Sequence, residues 1–166
     1  MIDSQGLETA IIQVDQNGQS LFSRYIERND YYDLFLLDTE GYCFYSVTEE
    51  ADYQTNLIYG KFKDSGLGEV VQKAMFDSQY HMSDLAPYAP SNGDPAAFVA
   101  APVMVQGELV MILAMQRSME GIDAIMSERT GLGNTGETYL VGADLLMRSN
   151  SLLDPVNHSV EGSFAN

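Results

Sequence analysis

Two apolar runs of strand length, Ala96–Val105 and Leu109–Met115, stand on either side of Gln106-Gly107. No other stretch restricts the fold of this chain so strongly. The glycine supplies the positive φ that a tight two-residue turn needs. The runs are built from Val, Ile, Leu, Phe, Met and Ala, and neither alternates cleanly with polar residues. Both faces of such a hairpin need cover. The expectation is a central antiparallel hairpin, with the rest of the chain arranged to bury it.

The flanking segments fit that role. Apolar residues at Leu7, Ala10, Ile11, Val14, Leu21, Phe22, Tyr25 and Ile26 follow a helical period over Leu7–Arg28, interrupted at Asn17-Gly18 and stopped at Asn29-Asp30. Tyr31–Asp38 and Tyr42–Val47 read as a second hairpin around Thr39-Glu40-Gly41. Thr48–Lys63 is polar and acidic and reads as loop. Ser65–Phe76 has a helical stripe at Leu67, Val70, Val71, Ala74 and Met75, with Asp64 or Ser65 as N-cap. Ser83–Tyr88 reads as a short strand cut by Pro87 and Pro90, and Ser91–Asp94 as a turn. Ser118 caps a further helix with a stripe at Met119, Ile122, Ile125 and Met126, for which Gly131 is the expected C-terminal cap. Thr138–Val141 and Leu145–Arg148 form an expected third hairpin, and the tail from Asn150 reads as loop. Sequential hairpins with helices between them predict an α+β fold with an antiparallel sheet.

Composition narrows the function. Of 166 residues 45% are apolar, enough for a core, and the formal net charge is −16 with only eight Lys and Arg. Binding to nucleic acid needs cations in numbers, so that class is excluded. The single cysteine, Cys43, rules out an internal disulfide and a thiolate metal site, and its apolar-aromatic setting predicts a buried small hydrophobe. No run reaches the roughly 18 apolar residues that mark a membrane-crossing helix, and no signal peptide follows Met1. The chain reads as an excised piece of a longer one.

Catalytic patterns are weak. GLGNTG at Gly131–Gly136 matches the glycine spacing of a dinucleotide loop, but a helix is expected before it and a strand after, the reverse of what phosphate binding requires. His81 and His158 lie far apart in sequence, without the spacing of a metal site. No nucleophile elbow is present. Acidic pairs such as Glu49-Glu50 read as loop charges, and Asn157-His158-Ser159 matches the short glycosylation pattern. Neither cofactor nor metal is expected. A hydrolase using His81 with Asp84 is the enzymatic rival. Ten tyrosines without a tryptophan, most of them ahead of the central hairpin, suit the wall of a small-molecule pocket.

Taken in order, YDLFLLDTEGYCFYSV, APYAPSNGDPAAFVAAPV, GELVMILAMQ and GNTGETYLVGADLLMRS resemble the double-Cache sensor modules of bacterial methyl-accepting chemotaxis proteins and membrane-bound sensor kinases. The resemblance runs from about Tyr31 to the end. It implies a helical segment over residues 1–30, a membrane-distal PAS-like module over 31–130, and the start of a second module over 131–166. It implies an extracytoplasmic location at the inner membrane, flanking transmembrane helices, a homodimer in the full receptor, and a small ligand in the distal module. Amino-acid-sensing members carry an aromatic-and-arginine motif before the third strand and an aspartate at the end of the last one. Here Asp77–Leu85 offers Tyr80, His81 and Asp84 without Arg or Trp, and Gln116 takes the aspartate's place. With so few cations, the module suits a neutral or cationic ligand.

The reading is therefore a ligand sensor without chemistry of its own. Its pocket candidates are Tyr45, Tyr80, Asp84, Tyr88, Phe98 and Gln116, on the strands and loop facing the Ser65–Phe76 helix. The alternative is a ligand-free structural or dimerisation module of a sensor histidine kinase, signalling through a partner protein.

Overall fold

A computed structural model describes residues 20–165. Its centre is an antiparallel sheet of five strands in the order β2-β1-β7-β6-β3. These are β1 (Tyr31–Leu37), β2 (Cys43–Ser46), β3 (His81–Met82), β6 (Phe98–Val105) and β7 (Glu108–Arg117), while β4 (Ala86–Pro87) and β5 (Pro95–Ala96) pair separately. The helices are α1 (Leu21–Arg28), α2 (Gly66–Asp77), α3 (Met119–Met126) and α4 (Val160–Phe164). The α+β class and its central hairpin are as the sequence predicts.

The β6–β7 turn uses the expected residues, Gln106 at φ 55 and Gly107 at φ 87, and positive φ at both positions matches the right-handed twist of the strands. Cover is less complete than expected. The β6 residues beside β5 are buried, whereas Met104 and Val105 at the turn end are exposed. The strand buried on both faces is β1, from Asp33 to Leu37.

Alternation along the strands sends side chains to two covers. Phe35, Leu37, Phe98, Ala100, Ile112 and Ala114 face α2, where they meet Leu67, Val70, Val71 and Ala74 in the main core. Leu34, Leu36, Met111, Leu113 and Met115 face the other way, with Ile26 and Phe22 of α1. The α2 cap is Ser65, whose Oγ accepts from Gly68 N at 3.1 Å. The α1 cap is Ser20, accepting from Ser23 N at 3.0 Å. The Leu7–Gln19 part of the expected first helix lies outside the described residues.

Four local expectations change. The strand expected over Ser83–Tyr88 shrinks to the two-residue β4, because Pro87 has no N–H and Pro90 opens a 3-10 turn over Ala89–Ser91. Ser118 does cap α3, accepting from Gly121 N at 3.0 Å, but no α3 residue is buried and Ile125 is 68% exposed. The helix stops at Met126, so Gly131 (φ 85) serves a later turn. The third hairpin is reduced to one bridge, Val141 to Met147, and the tail gains α4, capped by Ser159. Leu85, Ala97, Met147 and Val160 form a small second core that docks this last segment on the sheet.

Candidate functional site

One row of the ladder carries the polar chemistry. Asp33 pairs with Gln116 across β1–β7, and Gln116 pairs with Phe98 across β7–β6. Opposed residues point to the same face, so all three look toward the α2 side at the end of the sheet. Gln116 is 5% exposed. Its Nε2 donates to Ser91 Oγ at 3.4 Å, and Ser91 Oγ donates to Glu50 Oε2 at 2.7 Å. Tyr32 Oη donates to the other Glu50 oxygen at 2.8 Å, which with burial pushes the Tyr32 phenol up to about 12.

This relay fixes the amide. A serine hydroxyl has one hydrogen, and a carboxylate holds it more strongly than an amide oxygen does. Ser91 can therefore only accept from Gln116, which turns Gln116 Oε1 away from it. That oxygen is buried without a hydrogen-bond donor among the described residues. A buried unsatisfied acceptor is destabilising by about 1–3 kcal/mol.

Two further buried acids frame the row. Asp33 is satisfied: Leu34 N, Val47 N and Thr48 N donate to Oδ1, and Ser46 and Thr48 hydroxyls to Oδ2, at 2.6–3.2 Å. It ties β1 to the end of β2. Asp52 is not. Tyr88 Oη donates to its Oδ2, while Oδ1 is buried with no partner among the described residues. Burial pushes both carboxyls upward against the donors that hold them down, and burial together with the Asp52 charge raises the Tyr88 phenol.

Open space begins at Gln116. A pocket of about 140 Å³ is lined by Tyr32, Ser91, Asp94, Pro95, Gln116, Arg117, Ser118, Met119 and Glu120. Asp94, Pro95, Met119 and Glu120 also line a neighbouring cleft of about 690 Å³, whose other wall is Asp123, Asn150, Pro155, Ser159, Val160 and Glu161. The sheet face under α2, by contrast, is occupied by apolar side chains. The space lies beside that helix and not beneath it.

No protein-family model matches the chain, and no curated protein does. Solved structures do. The fold is that of the Cache-type ligand-binding domains of bacterial chemoreceptors. The ligand-binding domain of Pseudomonas fluorescens chemoreceptor CtaA in complex with L-serine has a TM-score of 0.58 at 14% identity, over 99% of this chain and 62% of that one. The sensory domain of Campylobacter jejuni chemoreceptor Tlp3 gives 0.57 at 11%, over 83% and 53%. The ligand-binding domain of Pseudomonas aeruginosa PAO1 amino acid chemoreceptor PctC in complex with GABA gives 0.53 at 16%, over 88% and 62%. The chain thus spans less than two thirds of these sensor domains.

Within this Cache-type fold the six pocket candidates separate. Tyr88, Phe98 and Gln116 gather at one end of the sheet, with the Tyr88 and Phe98 rings 4.6 Å apart, edge to face. Of the three, Gln116 lines the pocket. Tyr45 lies on the opposite face, donating or accepting at Ser20 Oγ over 3.1 Å and packing on Phe22. Tyr80 is 61% exposed. Asp84 accepts two hydrogen bonds from Arg148, at 2.8 and 2.7 Å. The enzymatic rival loses its geometry, because His81 contacts Asp77 at 2.8 Å while Asp84 is held by Arg148.

Glu50, Ser91 and Asp52 escape a reading from sequence. Glu50 is no idle loop charge: it receives two hydroxyls. Cys43 is buried as expected, and burial pushes its thiol up to about 12. Gly131 and Gly133 take positive φ in turns, with no helix behind them to meet a phosphate. Among the described residues no cluster of His, Cys, Asp and Glu could hold a metal, and no helix is long and apolar enough to cross a membrane.

Proposed function

We propose that this chain is the extracytoplasmic ligand-sensing part of a bacterial membrane receptor of the chemotaxis class. It takes up a small molecule at the Gln116 end of the sheet and does not change it chemically. The observation that carries this is the buried, donorless Gln116 Oε1, held open by the Ser91–Glu50 relay beside a pocket. The likeness of the fold to chemoreceptor sensor domains supports the class of receptor. Flanking membrane helices and a homodimer in the full receptor belong to the same proposal.

The signal is a population shift. The pocket and cleft have one wall on β7, the Asp94-Pro95 turn and the start of α3, and the other on residues 150–161. A guest that prefers one spacing of these walls biases how the last segment docks. A differential affinity of about 1–3 kcal/mol is enough for a useful response.

A thermal-shift screen of amino acids, amines and organic acids tests the reading, because binding to the folded state alone raises Tm. The expected result is at least one compound that raises Tm for the wild type and not for Gln116→Leu. A screen in which no compound does so overturns it.

A further inference from the structure

We infer that the guest is an aliphatic diammonium compound: one ammonium donates to Gln116 Oε1, and the other rests among the carboxylates at the cleft mouth. The inference rests on the sensor reading above and names the ligand class of that site.

The acceptor comes first. Gln116 lines the pocket, and its one atom without a partner among the described residues is a buried oxygen; the direction of the Ser91–Glu50 relay keeps it so. A carboxylate cannot donate to it, whereas an ammonium can, with three hydrogens. The relay also ends in an acidic side chain, Glu50, rather than in a basic one.

The mouth continues the same sign. Asp94, Glu120, Asp123 and Glu161 line the pocket and its adjoining cleft, with Arg117 as the sole basic lining residue. Arg117 follows Gln116 in the strand and so points to the other face, where its guanidinium lies 5.8 Å from the centre of the Tyr31 ring. Asp123 is engaged by Asn150, through N at 2.7 Å and Nδ2 at 2.6 Å. The Asp94 and Glu120 carboxylates are exposed and accept no hydrogen bond among the described residues. Those two line both the inner pocket and the outer cleft, where a second positive charge on a short chain would lie. A water-filled acidic cleft with low-dielectric walls concentrates cations, and one lone acceptor behind it selects for a donor at the leading end.

Four compounds of one chain length separate the possibilities: 1,4-diaminobutane, 1-aminobutane, 4-aminobutanoate and butanoate, each titrated calorimetrically into the chain. The diamine is expected to bind tightest, roughly fivefold ahead of the monoamine, as an exposed ion pair allows, and butanoate not at all. Asp94→Asn and Glu120→Gln, near-isosteric changes at exposed side chains, should shrink the diamine's lead over the monoamine while leaving Tm in place. The lead should also fall between 50 and 300 mM salt. Binding of 4-aminobutanoate or butanoate as tight as that of the diamine overturns the cationic assignment and leaves the sensor reading standing. So does a diamine that fails to bind while an L-amino acid does. A chain that binds none of the four overturns this inference, and the wider screen then decides whether the sensor reading falls with it.

Discussion

Gln116 donates its amide N–H to Ser91 Oγ, and Ser91 passes its only hydrogen to Glu50. Position 116 is thereby polarised by position 91, although the two are 25 residues apart. Ser91→Ala removes the acceptor that orients the amide, and the amide becomes free to turn. The expected outcome is a loss of selectivity: discrimination between amines and carboxylates narrows, while stability falls by about 1 kcal/mol for the lost hydrogen bonds. Calorimetry with the four-compound series, run beside urea unfolding, measures both.

Gln116→Leu separates a binding role from a packing role. A packing role for the amide means a loss of stability on substitution. The amide oxygen has no donor among the described residues, so replacing it with an apolar side chain of similar length should leave the unfolding free energy in urea unchanged or raise it by up to about 1 kcal/mol. Ligand affinity should drop roughly tenfold or more, the value of a charge-assisted hydrogen bond. A clear fall in stability would mean that Gln116 holds the fold.

The central hairpin and the helix caps were readable because their signals are local. Gln106-Gly107 sets a turn, and Ser65 and Ser118 precede helical stripes. The face of Tyr45 was not readable. Simple alternation from the buried Cys43 puts Tyr45 on the α2 side. A bulge between Leu36 and Leu37 makes Cys43 the partner of Leu37 and Tyr45 the partner of Leu36, which turns Tyr45 to the α1 side. The relay was out of reach for another reason. Glu50 and Ser91 look like loop residues until folding brings them to 2.7 Å across 41 positions. Asp33 did leave a trace, a lone charge inside the apolar run YYDLFLL.

That trace gives the strongest stability prediction. Asp33 is fully buried and accepts from five donors on two chain segments. Asp33→Ala removes the acceptor of all five in a dry site, leaving Val47 N only its 3.3 Å bond to Leu34 O, and unpins the end of β2. The expected loss is on the order of 3–5 kcal/mol, a large share of the stability of a domain this size. Asp33→Asn keeps the acceptors of one oxygen only and should fall between wild type and alanine in urea unfolding.

Arg148 provides the pH prediction. It is 8% exposed, with its guanidinium held by Asp84 and Asp144 and set 5.3 Å from the Phe164 ring centre. It thus clamps the last segment to the loop that leads from β3. The hydrogen bonds from Arg148 hold the Asp84 and Asp144 carboxyls below the ordinary aspartate range. A depressed carboxyl contributes stability above its unfolded value, near 4, and that contribution disappears as pH falls through the lower folded value. The clamp should therefore loosen below about pH 4 and be indifferent to pH from 5 to 8. Because Asp84 is largely exposed, the Arg148–Asp84 pair contributes only about 1 kcal/mol. Arg148→Met should flatten the acid limb of the stability profile. At neutral pH it should speed amide hydrogen exchange at Met147 and in α4 while leaving β1 and β7 protected. Exchange that quickens evenly through the sheet as well would show that Arg148 supports the whole fold rather than the docking of one segment, and would remove the route by which a guest in the cleft reaches the end of the chain.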